Sequence, residues 1–207
     1  MARSKKPAAP EVLGERRRRD LLAAAYELIA LKGLEGLRTR DIAARAGVNI
    51  STLHYHVGTK EALVEGLVGF VAEKFAGGDL TQMSPDPTLR AHFERAHETF
   101  RSNPELGIVL QELALRAQRD AATRRAFRPI FKLWNRQVEE IISTEMSAGS
   151  MPSGDAHELA LLVTSFVMGA MTQHGVNANT LDFKALSQRL LRLMAPGAHA
   201  SSSSVLR

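Results

Sequence analysis

The chain has 207 residues, enough for one ordinary domain or for a small domain beside a larger one. With 44% hydrophobic residues it can build real cores, and with only 5% aromatics those cores must be mostly aliphatic. The absence of cysteine excludes disulfides, thiolate metal sites and cysteine nucleophiles, while a net charge of +5 favours polyanionic partners.

The charge is unevenly placed. Residues 1–65 hold 12 Lys and Arg against 8 Asp and Glu, whereas residues 66–207 hold 15 against 14. A basic excess confined to one segment suits phosphate neutralisation with counterion release. A solvated surface with an unstructured basic arm is the other reading. No apolar stretch precedes Leu21, so no secretory signal is expected. The longest apolar stretch, Leu159 to Met171, is interrupted by Thr164 and Ser165. It falls short of the ~20 residues of a membrane span. A soluble, cytoplasmic protein is expected.

Residues 1–14 combine prolines, small residues and lysines and are expected to form a disordered basic arm. The arginine run Arg16 to Arg19 opens the first helix, in which Leu22, Ala25, Tyr26 and Ile29 share a face. That run is either a solvated helix start or a phosphate-contacting arm. The second reading is favoured, because cations at a helix start oppose its dipole unless an anion is near. Lys32-Gly33 ends the helix.

Thr39 is expected to cap a second, short helix, with Asp41 near its positive end and Ile42, Ala43 and Ala46 facing inward. Gly47 suits a left-handed turn, and Asn49 suits the cap of a third helix whose inward residue is Leu53. This order, two short helices about a glycine turn with hydroxyl, imidazole and phenol groups outward on the second, describes a helix-turn-helix. Gly58-Thr59 ends that helix and caps a fourth, Lys60 to about Phe75.

Residues 77–87, rich in Gly, Pro, Ser and Asp, form the best candidate domain boundary. Asp86-Pro87 and Asn103-Pro104 each suggest a cap followed by a helix-opening proline, giving helices 88–102 and 104–118. A long helix is expected over 121–146 with Pro129 as a kink, then an apolar helix over 155–175 and a last one over 182–195. The Ser-rich segment 197–207 is expected to be a disordered tail. No repeat and no convincing strand is found. The fold class is therefore all-α: a three-helix helix-turn-helix domain over 15–76 and a larger helical domain over 77–196.

Arg17 to Leu67 resembles the DNA-binding domain of TetR-type transcriptional regulators. The shared residues include the apolar first helix ending in Gly33, Leu37, Thr39, Asp41-Ile42-Ala43, Ala46-Gly47-Val48, Thr52-Leu53, Tyr55-His56, Lys60-Glu61 and Leu63. The likeness covers about a quarter of the chain. Departures are His54 where tyrosine is usual, Ser51 where glycine is frequent, and Val57 where a bulky aromatic is common.

The resemblance implies that Thr39, Tyr55, His56 and Lys60 position phosphates, Thr39 and Lys60 from helix N-termini that favour anions. Arg40, Asn49, Ile50, Ser51, Thr52 and His54 are the exposed candidates for base edges. Arg40 suits guanine, and Ile50 suits a thymine methyl. Arg40 as a plain surface charge remains an alternative. His54 and His56 point to different helix faces, so no metal pair is expected.

Past residue ~80 the resemblance implies a helical domain that dimerises and encloses a small-molecule cavity. The sequence points to dimerisation independently, because the helix 155–175 is apolar around most of its circumference and one buried face cannot use all of it. Leu159, Leu162, Val163, Phe166 and Val167 are the interface candidates there, with Leu186 and Leu190 on the last helix. A two-fold dimer would present two reading helices to a palindromic operator. Cavity candidates are Phe93, His97, Phe100, Phe127, Phe131, Trp134, Asn135, Phe166 and Gln173. No strong charged trap stands among them, so the effector is expected to be uncharged or lipophilic. A repressor released from its operator by that effector is what the resemblance implies.

Other classes fit less well. There is no HExxH, no Gly-rich phosphate loop and no GxSxG, so no enzyme, cofactor or metal is expected. A helical adaptor using the helix-turn-helix for packing alone is the alternative, and the basic asymmetry argues against it.

Overall fold

The computed structural model describes residues 10–75, 86–177 and 181–196. Among these there are nine helices and no strand: α1 Pro10–Lys32, α2 Thr39–Arg45, α3 Ile50–Val57, α4 Lys60–Phe75, α5 Leu89–Ser102, α6 Pro104–Arg119, α7 Ala121–Ser147, α8 Ala156–Val176 and α9 Phe183–Met194. The all-α expectation holds. The expected segments 1–9, 77–85 and 197–207 lie outside the described residues.

The first helix starts earlier than expected, at Pro10. Proline at the first helical position loses no hydrogen bond that a helix would otherwise make, and its fixed φ suits the helix. Residues 10–14, read as part of a disordered arm, are therefore helical.

The chain packs as two compact units. One comprises residues up to Ala72 together with Ile108–Phe127, and the other Glu73–Gly107 with Arg128 onward. The division is discontinuous, with a segment of later sequence grouped with the N-terminal helices. Residues 108–127, expected in the larger domain, belong with the helix-turn-helix.

In the first unit α1, α2 and α3 pack mutually. Leu21, Ala25 and Ile29 of α1, Ile42 and Ala43 of α2, and Leu53 and Val57 of α3 are all buried. The buried residues Leu63, Leu67 and Val71 supply the inward face of α4. Local chemistry sets the turns. The Gly47 amide donates to the Ala44 carbonyl at 3.2 Å and the Val48 amide to the Ala43 carbonyl at 2.9 Å, which ends α2 in a Schellman motif. That motif needs a left-handed residue, and Gly47 has φ +65°.

Two expected caps are displaced. The residue before α2 is Arg38, and no side chain caps that helix, so Thr39 lies inside the first turn. The cap of α5 is Thr88, whose hydroxyl accepts from the Ala91 amide at 3.2 Å, and not Asp86. A proline at 87 leaves room for one more turn residue before the helix, and Thr88 fills it. Asn103 stands as expected directly before Pro104, the first residue of α6, and it also closes the preceding helix, its amide nitrogen Nδ2 donating to the Thr99 carbonyl at 3.1 Å.

The second unit is built around Leu89, Phe93, Trp134, Val138, Ile142, Val163 and Val167. Helices α5 and α9 pack together in it. The carboxylate of Glu145 accepts from the Leu89 amide at 3.0 Å and so ties α7 to the start of α5. Helix α8 has 21 residues, and its most apolar 18-residue stretch has a mean hydropathy of 1.4, so by length and composition alone it is sufficient to cross a membrane. Its inward residues Ala160, Val163, Thr164, Val167, Ala170 and Met171 are used within the unit itself.

Candidate nucleic-acid interface

Helix α3 has two unlike faces. Leu53 and Val57, four residues apart, point into the core. Ser51, His54 and Tyr55 point outward, and Tyr55 is 86% exposed. Its ring meets the edge of the His56 ring at a centroid distance of 5.0 Å. Ile50 is 45% exposed, so a large apolar side chain faces water at the leading end of the helix.

The cap that starts α3 constrains which of these groups remain available. Asn49 Oδ1 accepts from the Thr52 amide at 2.8 Å and from the Thr52 hydroxyl at 3.0 Å. Asn49 and Thr52 thus engage each other, and either can read a base edge only with its remaining hydrogen-bonding capacity. Ser51 and His54 carry no such commitment in the capping geometry.

Arg40 is well exposed and its Nε lies 3.7 Å from Asp41 Oδ1, a loose ion pair that leaves most of the guanidinium fork open. Asp41 itself is bound to the Lys32 ammonium, which holds its carboxyl below the usual carboxylate range. Arg45 is turned away to Glu27, with Nε donating at 2.8 Å.

Lys60 begins α4, and Thr59 before it accepts from the Ala62 amide at 3.2 Å. Arg38, Thr39, Arg40 and Lys60 rim a hollow of about 430 Å³ whose floor is Leu34, Leu37, Ile42, Leu63 and Val64, with the exposed Ile50 at its edge. Three of the four rim residues are cationic side chains over an apolar floor. Such a rim suits phosphate oxygens, and such a floor suits sugar carbons or a thymine methyl. All ten residues expected to touch DNA therefore lie within one stretch of the first unit, from Thr39 to Lys60, and none of them is buried.

The second unit brings together some of the expected cavity residues. Phe93 and Phe166 meet at 5.7 Å, Phe166 and Phe183 at 5.8 Å, and His97 stacks on Phe183 at 5.9 Å. Trp134 contacts Phe131 at 6.0 Å and Phe75 at 4.9 Å, and Phe75 contacts Phe100 at 5.8 Å. Asn135 Oδ1 accepts from the buried Thr164 hydroxyl at 2.7 Å. Two candidates fall elsewhere. Phe127 is buried in the first unit, because it lies on the part of α7 that packs there. Gln173 is exposed, because α8 turns its inward face through Ala170 and Met171.

Sequence reasoning missed Phe75, Phe183 and above all His92. The indole Nε1 of Trp134 donates to His92 Nε2 at 3.3 Å. Desolvation by burial, with Arg95 nearby as a second cause, pushes the His92 pKa down to about 4. The ring is therefore neutral and carries its proton on Nδ1 when it accepts from the indole. In the sequence His92 and His97 stand five apart, a poor chelating spacing on a helix. Nothing local announced an indole partner 42 residues away.

The residues expected at a dimer face differ in their exposure. Val163 and Val167 are fully buried within the chain. The large apolar residues that α8 leaves outside are Leu161, Leu162, the latter 63% exposed, and Val176 at its last position, and those on α9 are Leu186 and Leu193. Leu162 and Leu186 remain from the expected set, and Leu159, Phe166 and Leu190 are half-buried.

Residues 21–67 match the family described as bacterial regulatory proteins, tetR family. A Shigella flexneri protein, the HTH-type transcriptional dual regulator CecR, is 31% identical over 116 residues, which are 54% of this chain and 45% of that protein. The class D tetracycline repressor protein of Escherichia coli is 40% identical over 50 residues, 24% of this chain and 23% of the repressor. Each match thus spans less than half of the curated relative. Among solved structures, a TetR transcription regulator from Haloarcula marismortui superposes with a TM-score of 0.74 at 19% identity, over 87% of this chain and 97% of that one. A Saccharomonospora viridis protein solved in complex with choline gives 0.70 at 21% identity, over 86% and 95%. At these identities the structures establish a shared fold.

Proposed function

We propose that this chain, which belongs to the TetR family of bacterial regulatory proteins through residues 21–67, is a sequence-specific DNA-binding transcriptional regulator. The observation that carries the reading is the two-faced α3. Its buried Leu53 and Val57 hold it to the core, while Ser51, His54 and Tyr55 face outward beside a rim formed by Arg38, Arg40 and Lys60. A helix of eight residues presented in this way fits the major groove.

In this reading Thr39, Tyr55, His56 and Lys60 fix the phosphate backbone. Arg40, Ile50, Ser51 and His54 read base edges, with Asn49 and Thr52 contributing through what their mutual cap leaves free. The chain acts as a cytoplasmic homodimer across the exposed leucines of α8 and α9, so that two copies of α3 meet a palindromic operator. An uncharged or lipophilic small molecule binds at the aromatic cluster of the second unit and releases the protein from DNA. The neutral His92 and the surrounding rings support an apolar effector, because desolvation that suppresses an imidazolium also disfavours a charged ligand. The choline bound by the Saccharomonospora viridis protein is evidence that this fold accommodates small molecules.

Selection of bound sequences from random duplex DNA tests the core of the proposal. A palindromic consensus with salt-dependent affinity is expected. Retention of random and selected duplexes to the same weak extent would favour a helical adaptor instead.

A further inference from the structure

The turn that leads into the proposed DNA-contacting residues is not self-sufficient. Helix α1 ends with the Gly33 amide donating to the Ile29 carbonyl at 2.8 Å, and Gly33 has φ +73°. This is the simple left-handed helix ending, which satisfies one carbonyl and leaves the next amide without a helical acceptor. That amide belongs to Leu34, whose side chain is buried. An enclosed amide requires a partner.

The partner comes from far along the chain. Glu112 Oε2, on α6, accepts from the Leu34 amide at 2.9 Å across 78 residues of sequence. Its other carboxylate oxygen lies 3.4 Å from where a Cβ on Gly33 would sit, so the carboxylate is seated against the turn. One helical turn later on α6, Arg116 Nη1 pairs with Glu35 at 3.1 Å. The Leu37 amide then donates to the Leu34 carbonyl at 3.2 Å, closing the turn that delivers Arg38 and Thr39 to the start of α2.

We infer that Glu112 is a positioning residue for DNA binding: its carboxylate completes the end of α1, fixes Leu34, and through the Leu34–Leu37 turn sets where Arg38, Thr39 and Arg40 stand. This role rests on the DNA-binding reading. Its sign separates it from a plain electrostatic effect. A carboxylate near a polyanion site opposes DNA, so a charge acting alone would make every neutral replacement bind more tightly. A positioning carboxylate predicts the opposite for replacements that cannot accept the amide.

The experiment compares wild type, E112Q, E112A and E112D, each as the full chain, on a duplex selected by the wild-type protein. Exchange of the Leu34 amide is followed by NMR in the same samples. Glutamine keeps an acceptor oxygen at the same reach, so E112Q should bind at least as well as wild type with Leu34 still protected. Alanine removes the acceptor and aspartate shortens its reach, so both should expose the Leu34 amide to exchange and lose affinity about ten-fold. The slope of affinity against salt should stay unchanged, since no phosphate contact is removed. Should E112A prove unable to fold, E112D against E112Q reads the same contrast. Equal affinity of all four proteins, or loss in E112Q equal to that in E112D, would overturn the role of Glu112. A wild-type protein that selects no duplex would instead overturn the DNA-binding reading, and the amide exchange would still report whether Glu112 holds Leu34.

Discussion

Helices α3 and α8 pose the same physical problem and answer it differently. Each buries one face in its own unit and leaves another outside. The outer face of α3 carries Ser51, His54 and Tyr55, groups that water satisfies in the free protein and that phosphate or base edges satisfy equally well. The outer face of α8 carries Leu161 and Leu162, which water does not satisfy, and α9 adds Leu186 and Leu193. The contrast shows that an exposed surface discloses the chemistry of its partner. Polar hydrogen-bonding groups around a basic rim ask for an anion, and neighbouring leucines ask for another apolar surface.

The comparison is broken most severely from the inside. Leu53 is almost wholly enclosed, so Leu53→Ala should cost roughly 2–5 kcal/mol of stability, read by chemical denaturation, and should abolish DNA binding with it. Acid should act next, and on the second unit. His92 titrates near 4 when folded against 6.5 otherwise, so between those values the unfolded chain binds more protons. The part of the stability that depends on His92 should therefore fall as pH drops from about 6.5 to about 4 and level off below. The loss should be on the order of 3 kcal/mol at most. His92→Asn should remove that acid limb, as followed by denaturation midpoints at pH 7 and pH 5.

The outer faces are tested by gentler changes. Leu162→Glu should leave the fold within about 0.5 kcal/mol of wild type, because the side chain is mostly outside. The measured mass by light scattering should fall from two chains to one. A mass unchanged by the substitution would remove Leu162 from the interface. Lys60→Ala should weaken binding to every duplex and lower the salt slope by about one unit. Smallest in total energy is Arg40→Ala, which should relax preference at one base position. Equal loss on selected and random duplexes would make Arg40 a surface charge only.

Short-range chemistry was readable in advance, and long-range partnering was not. Asn49, Gly47, Thr59 and Leu53 act within a few residues of themselves, so caps, turn and inward face follow from spacing alone. The nearby error at Thr39 has the same local origin, since a threonine one residue into a helix has the same composition signature as a capping one. On α8 periodicity had no power, because a helix apolar nearly all round offers no contrast by which to assign Val163 inward and Leu162 outward. Trp134 with His92 and Glu112 with Leu34 join positions 42 and 78 residues apart, and no window along the chain contains both members.

The return of residues 108–127 to the first unit has a practical corollary. A reading head excised at residue 76 would leave behind Leu113 and other wholly enclosed side chains of its own core. Grafting that fragment onto a foreign sensor, or cloning it as a minimal reagent, would therefore transplant an incomplete body. A faithful chimera must carry the distant stretch along.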